Sequence, residues 1–145
     1  PQASYLSADL YSKDAMVKMD ICNIEYGENT FDLIFCSHVL EHVADDRQAL
    51  REFHRVLSSD GVLFLMVPIL AEKTFEDPSI IDPIERERVF GQMDHVRAYG
   101  EDFAEIVAGE GFTVEIYQPT GFFSIKEIQR QQLDPEDRLF VCGKA

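Results

Sequence analysis

Short apolar runs alternate with amphipathic stretches along the chain, and this alternation predicts layered α/β structure. Ser4 to Leu10 reads as a first strand that ends in acid. Ala15 to Met19 reads as a second, followed at once by Asp20. Gly27-Glu28-Asn29-Thr30 is a turn. Phe31 to Cys36 is nearly all apolar and predicts a strand buried on both faces. Asp45-Asp46 then supplies carboxylates for the orphan N–H groups of a helix start. In that helix Ala49, Leu50, Phe53, Val56 and Leu57 share one face, with Arg47, Arg51, Glu52 and Arg55 outside. Ser58-Ser59-Asp60-Gly61 ends it, and Val62 to Val67 is the next apolar strand, stopped by Pro68. Strand, helix and strand at this spacing predict a parallel βαβ unit.

Residues 71–99 break the pattern with Pro78, Pro83 and the string Glu85-Arg86-Glu87-Arg88. They read as a lid or substrate-side excursion with one short helix from Pro83 to Phe90. A helix over Glu101 to Glu110 follows, with Phe103, Ile106 and Val107 inward and Gly111 at its end. Phe112, Val114 and Ile116 alternate as a half-exposed strand. Gly121 to Asp137 has no single pattern, and Arg138 to Cys142 reads as a final strand. The 145 residues form one domain, since a chain of this length can bury roughly 70% of the surface its unfolded form exposes.

Charge changes the picture of partners. Lys plus Arg is 13 against 27 Asp plus Glu, a formal net charge of −14. There is no basic run, so phosphate neutralisation is excluded as a binding mode, and with it a nucleic-acid partner. An acidic surface and the lack of an 18-residue apolar stretch leave no expectation of a membrane partner. The start, Pro1-Gln2-Ala3-Ser4-Tyr5, has neither the charged nor the apolar region of a secretory leader. The 3 cysteines, Cys22, Cys36 and Cys142, have no CxxC spacing and read as reduced, small buried hydrophobes of a cytoplasmic protein.

Candidate chemistry gathers where ligands bind in such sheets, beyond the carboxyl ends of the strands. Asp9 follows the first strand, and its two oxygens suit a ribose diol. Asp20 follows the second and can accept from an exocyclic amine, with Ile21 packed on the ring. Ser37 and His38 follow the third. The segment His38-Val39-Leu40-Glu41-His42 matches an H-x-x-E-H zinc pattern, which makes a zinc hydrolase through His38 and His42 a minor reading. It follows a buried strand directly and spacing shows no third ligand, so no metal is assigned. His95 can act as a general base, or it and Arg97 can tie the excursion to the body.

Taken together, YLSADL (residues 5–10), Met19-Asp20-Ile21, FDLIFCSHVLEHVADDRQALREFHRVLSSDGVLFLMVP (residues 31–68) and DHVRAYGEDFAEIVAGEGF (residues 94–112) resemble class I S-adenosylmethionine-dependent methyltransferases. The closer resemblance is to the bacterial type 11 methyltransferase domain. It implies a Rossmann-like, mostly parallel sheet with flanking helices and strand order 3-2-1-4-5-7-6. It implies S-adenosylmethionine as cofactor, with Asp9 at the ribose, Leu10 also in the cofactor site, Asp20 and Ile21 at the adenine, and Ser37 and His38 facing the methionine part. His95 and His38 are then the candidate catalytic residues. The chain departs from the family in having no glycine-rich first motif, the loop where backbone approaches the cofactor. The family's first strand, loop and helix are expected before residue 1, so the fold is expected to be truncated at its N-terminus. The strand edges left open invite a second copy of the chain, hence a homodimer.

The expected activity is methyl transfer to a small-molecule or glycan-type acceptor. Cys36-Ser37-His38-Val39 stands where amino-methylating relatives carry N/D-P-P-Y, which counts against nucleobase and protein-amide acceptors. The alternative is a catalytically inactive, methyltransferase-like binding or assembly module.

Overall fold

A computed structural model describes residues 4–145, so the first three residues of the start read above as lacking a leader lie outside the described residues. Among the described residues nine strands and four α-helices follow one another, more elements than the apolar runs predict. β1 (Ala8–Asp9) and β2 (Val17–Lys18) pair in parallel as a two-stranded sheet, shorter than the apolar runs suggested. β3 (Phe31–Ser37) and β4 (Leu57–Met66) pair in parallel around helix α1 (Asp46–Val56). β8 (Phe112–Tyr117) and β9 (Leu139–Lys144) complete a four-stranded sheet in the order β3-β4-β9-β8, with β9 antiparallel to both neighbours. This order corresponds to the 4-5-7-6 part of the expected sheet, and the β1–β2 pair stands as a separate sheet.

Helix α1 forms where the carboxylates predicted it. The Asp45 side chain accepts from the Gln48 backbone N–H at 2.9 Å, which satisfies one orphan donor. Its apolar face is the centre of the core: Ala49, Leu50 and Val56 are fully buried, with Phe53 beside them, whereas Leu57, expected on this face, opens β4, and Ser58–Gly61, expected to end the helix, continue that strand. Leu63, Leu65 and Cys142 from the sheet and Phe103 and Val107 from helix α3 (Phe103–Gly109) close on that face.

One expectation fails in an informative way. β3 is not buried on both faces. Cys36 is buried and Ile34 packs on the core, but Leu33 and Phe35 on the other face are 57% and 62% exposed. Among the described residues only β4 pairs with β3, leaving its other edge open. A strand reads as doubly buried from composition alone, yet burial needs a second layer, and the apolar run cannot supply one.

The excursion is structured. β5 (Ile69–Ala71) pairs in parallel with β7 (Arg97–Gly100), and β6 (Phe75–Glu76) pairs antiparallel on the other side of β7. Helix α2 (Pro83–Phe90) has the bounds the sequence predicted, with Asp82 capping Ile84 and Glu85 and Gly91 closing it at φ 93°. All four residues of β7 are buried. Residues 121–137, which had no single pattern, hold helix α4 (Ile125–Gln131) behind a Ser124–Glu127 capping box.

Candidate functional site

The predicted binding residues fall just beyond the C-terminal ends of β1, β2 and β3. Asp9 ends β1 and folds the chain over itself: its Oδ1 accepts from the backbone N–H of Tyr11 at 2.7 Å and of Ser12 at 2.6 Å. Those two donors, Ser12 first, hold its carboxyl below the usual carboxylate range. Asp9 is exposed, and Oδ2 makes no hydrogen bond within the described residues. Asp20 caps the turn after β2, accepting from the Cys22 N–H at 2.8 Å. Leu10 and Asp20 line one depression of about 260 Å³, together with Lys18, Met19, Asn23 and Glu25. Ile21 lies outside that lining and packs against the core.

Ser37 ends β3. His38 follows with φ 53°, a left-handed conformation that a histidine adopts in only a small minority of cases. Its backbone N–H is held by the Met66 carbonyl at 2.9 Å, and its side chain is 52% exposed. The donor set therefore suits the nucleoside half of S-adenosylmethionine: two carboxylates at adjacent parallel strand ends, one with a free oxygen, beside a shallow depression. Ser37 and His38 lie outside that depression.

The geometry does not favour the His38–His42 zinc pair, the minor reading of H-x-x-E-H. Leu40–His42 is a single 3₁₀ turn, and the left-handed turn at His38 points the two imidazoles to different neighbours. His38 Nδ1 lies 3.4 Å from Glu41 Oε1, whereas His42 Nδ1 lies 3.2 Å from Asp94 Oδ2. His42 meets His95 edge to face, with ring centroids 4.7 Å apart. His95, the candidate base, is 2% exposed, so no acceptor in solvent reaches it in this conformation. Its Nδ1 is held by the Phe90 carbonyl at 2.9 Å.

The tie predicted for this segment is carried by Arg97. Its guanidinium donates to the carbonyls of Leu40 (2.9 Å), Val43 and Ala44 (3.0 Å) and pairs with Glu76 at 3.0 Å. These bonds fix the turn after β3 onto β7. A second depression of about 360 Å³ opens beside Arg97, Thr74 and Asp102. Thr74 is bound there to Asp102 at 2.7 Å, so its polar groups serve the fold. Glu41, which is 1% exposed, was not among the candidate site residues. Its one visible signal was its place in H-x-x-E-H, which does not foretell its burial.

The family described as methyltransferase domain matches residues 2–65. An uncharacterized methyltransferase of Bacillus subtilis, YcgJ, is 33% identical over 75 residues, 52% of this chain and 28% of that protein. A Danio rerio protein named arginine-hydroxylase NDUFAF5, mitochondrial, is 31% identical over 93 residues, 63% of this chain and 29% of its own length. The matched stretches thus span less than a third of these relatives. Among solved structures, the Burkholderia thailandensis 1,6-didemethyltoxoflavin-N1-methyltransferase, with bound 1,6-didemethyltoxoflavin and S-adenosylhomocysteine, superposes with a TM-score of 0.65 at 14% identity, covering 95% of this chain and 60% of that one. Residues 2–65 thus match the methyltransferase-domain family, and the chain's mixed α/β fold is similar to that of Rossmann-like methyltransferases.

Proposed function

We propose that this chain binds S-adenosylmethionine at the ends of β1, β2 and β3 and serves methyl transfer to a small-molecule or glycan-type acceptor. One observation carries the reading. Asp9 ends β1 and Asp20 lies two residues past the adjacent parallel β2, Leu10 and Asp20 line one depression, and all three fall inside the family match. In such sheets, ligands sit beyond the carboxyl ends of the strands.

The roles follow from chemistry. The free Oδ2 of Asp9 accepts from a ribose hydroxyl, while its Oδ1 keeps the turn rigid through Tyr11 and Ser12. Asp20 accepts from the adenine amine, with Leu10 against the ring. Ser37 and His38 take the methionine side. S-adenosylmethionine supplies an activated methyl for in-line displacement, so orientation carries much of the rate. Where the acceptor must lose a proton, the exposed His38 is placed to take it, and the buried His95 is not.

Calorimetric titration of S-adenosylmethionine and S-adenosylhomocysteine into the full chain tests this. The expected result is saturable binding that Asp9→Ala and Asp20→Ala each weaken about 10-fold or more, the scale of a charge-assisted hydrogen bond of about 1.5–3 kcal/mol. A folded chain that binds neither compound overturns the proposal. A second reading is binding without methyl transfer: the Danio rerio relative is named for hydroxylation, so likeness to it does not by itself carry methyl transfer. Tight S-adenosylhomocysteine binding with no turnover of S-adenosylmethionine across small-molecule acceptors would select it.

A further inference from the structure

The turn after β3 and the loop before β7 bring together three side chains that the binding site does not use. One ligand atom from each of Glu41, His42 and His95 lies within 4.8 Å of the others. Glu41 is 1% exposed and His95 2%. Among the described residues, no hydrogen-bond partner reaches either carboxylate oxygen of Glu41 or Nε2 of His95. His38 Nδ1 comes to 3.4 Å from Glu41 Oε1, but without hydrogen-bond geometry. A buried carboxylate without a partner is among the costliest arrangements a protein can hold.

Both imidazoles are already oriented. His95 Nδ1 is bound to the Phe90 carbonyl at 2.9 Å, a contact it can make only as a donor. That fixes the tautomer and leaves a bare lone pair on the buried Nε2. His42 Nδ1 lies 3.2 Å from Asp94 Oδ2, which places a carboxylate behind that ring. Metal-ligating histidines carry this support: a carbonyl or carboxylate on one nitrogen and the metal on the other. The Val96 N–H donates to the Glu41 carbonyl at 2.9 Å, so backbone holds the two segments at this spacing.

We propose that Glu41, His42 and His95 bind one divalent transition-metal cation of the zinc class. Two imidazoles and one carboxylate form an N₂O set that suits zinc, cobalt or nickel and does not suit magnesium or calcium, which take oxygen ligands. Ligand atoms in a tetrahedral site stand about 3.4 Å apart with bonds of about 2.1 Å, so the separations of up to 4.8 Å close by about 1.4 Å at most. His42 is 31% exposed and gives the entry path and a fourth, solvent-side position. The cation neutralises the Glu41 carboxylate and clasps the turn after β3 to the segment leading into β7. This ligand set replaces the His38–His42 pair suggested by spacing, and it does not depend on cofactor binding.

The test uses the full chain, stripped with a chelator and titrated with cobalt(II) chloride alone. The expected result is one cobalt per chain, tetrahedral visible absorption, and a rise in Tm that zinc chloride reproduces. His42→Asn should weaken binding at least 100-fold. Asp94→Asn, an exposed substitution behind the ring, should weaken it about 10- to 100-fold. Circular dichroism checks that both variants fold. Magnesium should give no stoichiometric binding. The proposal is overturned by the lack of saturable one-to-one cobalt binding, which would mean that a proton closes the cluster. It is equally overturned by cobalt binding that both variants leave intact, which would place the ion on surface carboxylates.

Discussion

Tyr99 Oη donates a 2.7 Å hydrogen bond to Asp46 Oδ2, joining β7 to the first turn of α1 across 53 residues of sequence. Both groups are buried, and Arg97 Nε stands 3.6 Å from the same carboxylate oxygen. Tyr99→Phe keeps the ring packed on Phe103 but leaves Asp46 short of a donor. The expected loss is about 1–3 kcal/mol in urea unfolding. Asp46→Asn in combination should cost less than the sum of the two single changes, because the residues share one bond.

Arg97 is predicted to be irreplaceable by lysine. Its planar fork reaches three backbone carbonyls and Glu76 at once, and an ammonium cannot copy that geometry. Arg97→Lys should lower stability nearly as much as Arg97→Met, about 3 kcal/mol or more, since several buried acceptors lose their donor in either case. Thermal melts of the two variants check this. A lysine variant that melts like the parent would show that the carbonyls find other partners.

Gly100 closes β7 against the chain that enters β6. A Cβ at that position would stand 2.5 Å from Lys73 Cα and from Thr74 N, both backbone atoms that cannot swing away. Gly100→Ala should therefore cost about 1–3 kcal/mol and loosen the Thr74–Gly100 bond of 3.0 Å. Gly109, where an added Cβ meets nothing within 4 Å, is the control, and Gly109→Ala should leave stability close to that of the parent.

The cysteines give a pH prediction. Burial pushes the Cys36 and Cys142 thiols up to about 12 from an ordinary 9.0. A folded-state pKa raised above the unfolded one contributes stability below about pH 9, lost as the pH rises toward 12. Tm should therefore fall between pH 9 and pH 11, and Cys36→Ala with Cys142→Ala should flatten that slope. Burial also pushes Cys22 up to about 11. At pH 8 an aromatic disulfide reagent should thus label the native chain slowly and take up 3 equivalents in urea.

The open edge of β3 gives the last prediction. Leu33 and Phe35 are exposed beside an edge that no described strand pairs, and such edges template pairing with another chain. We expect concentration-dependent dimers in size-exclusion light scattering, reduced by Phe35→Lys. A strictly monomeric parent would end the expectation of self-association.

What the sequence determined by itself was local. Periodicity placed α1 and most of its buried face, Asp45 marked its start, and α2 was read from Pro83 to Phe90. These features depend on neighbours a few residues away, where capping and 3.6-residue spacing act. The acids after β1 and β2 were legible for the same reason. Tertiary structure decided the rest. Whether Phe35 is covered depends on a second layer, and whether His95 meets solvent depends on a loop folding back over it. The meeting of Glu41 with His95 joins residues 54 positions apart, brought together by the parallel pairing of β5 with β7 and by the grip of Arg97 on the turn after β3. No spacing rule carries that contact, because burial and long-range pairing are set by the whole chain at once.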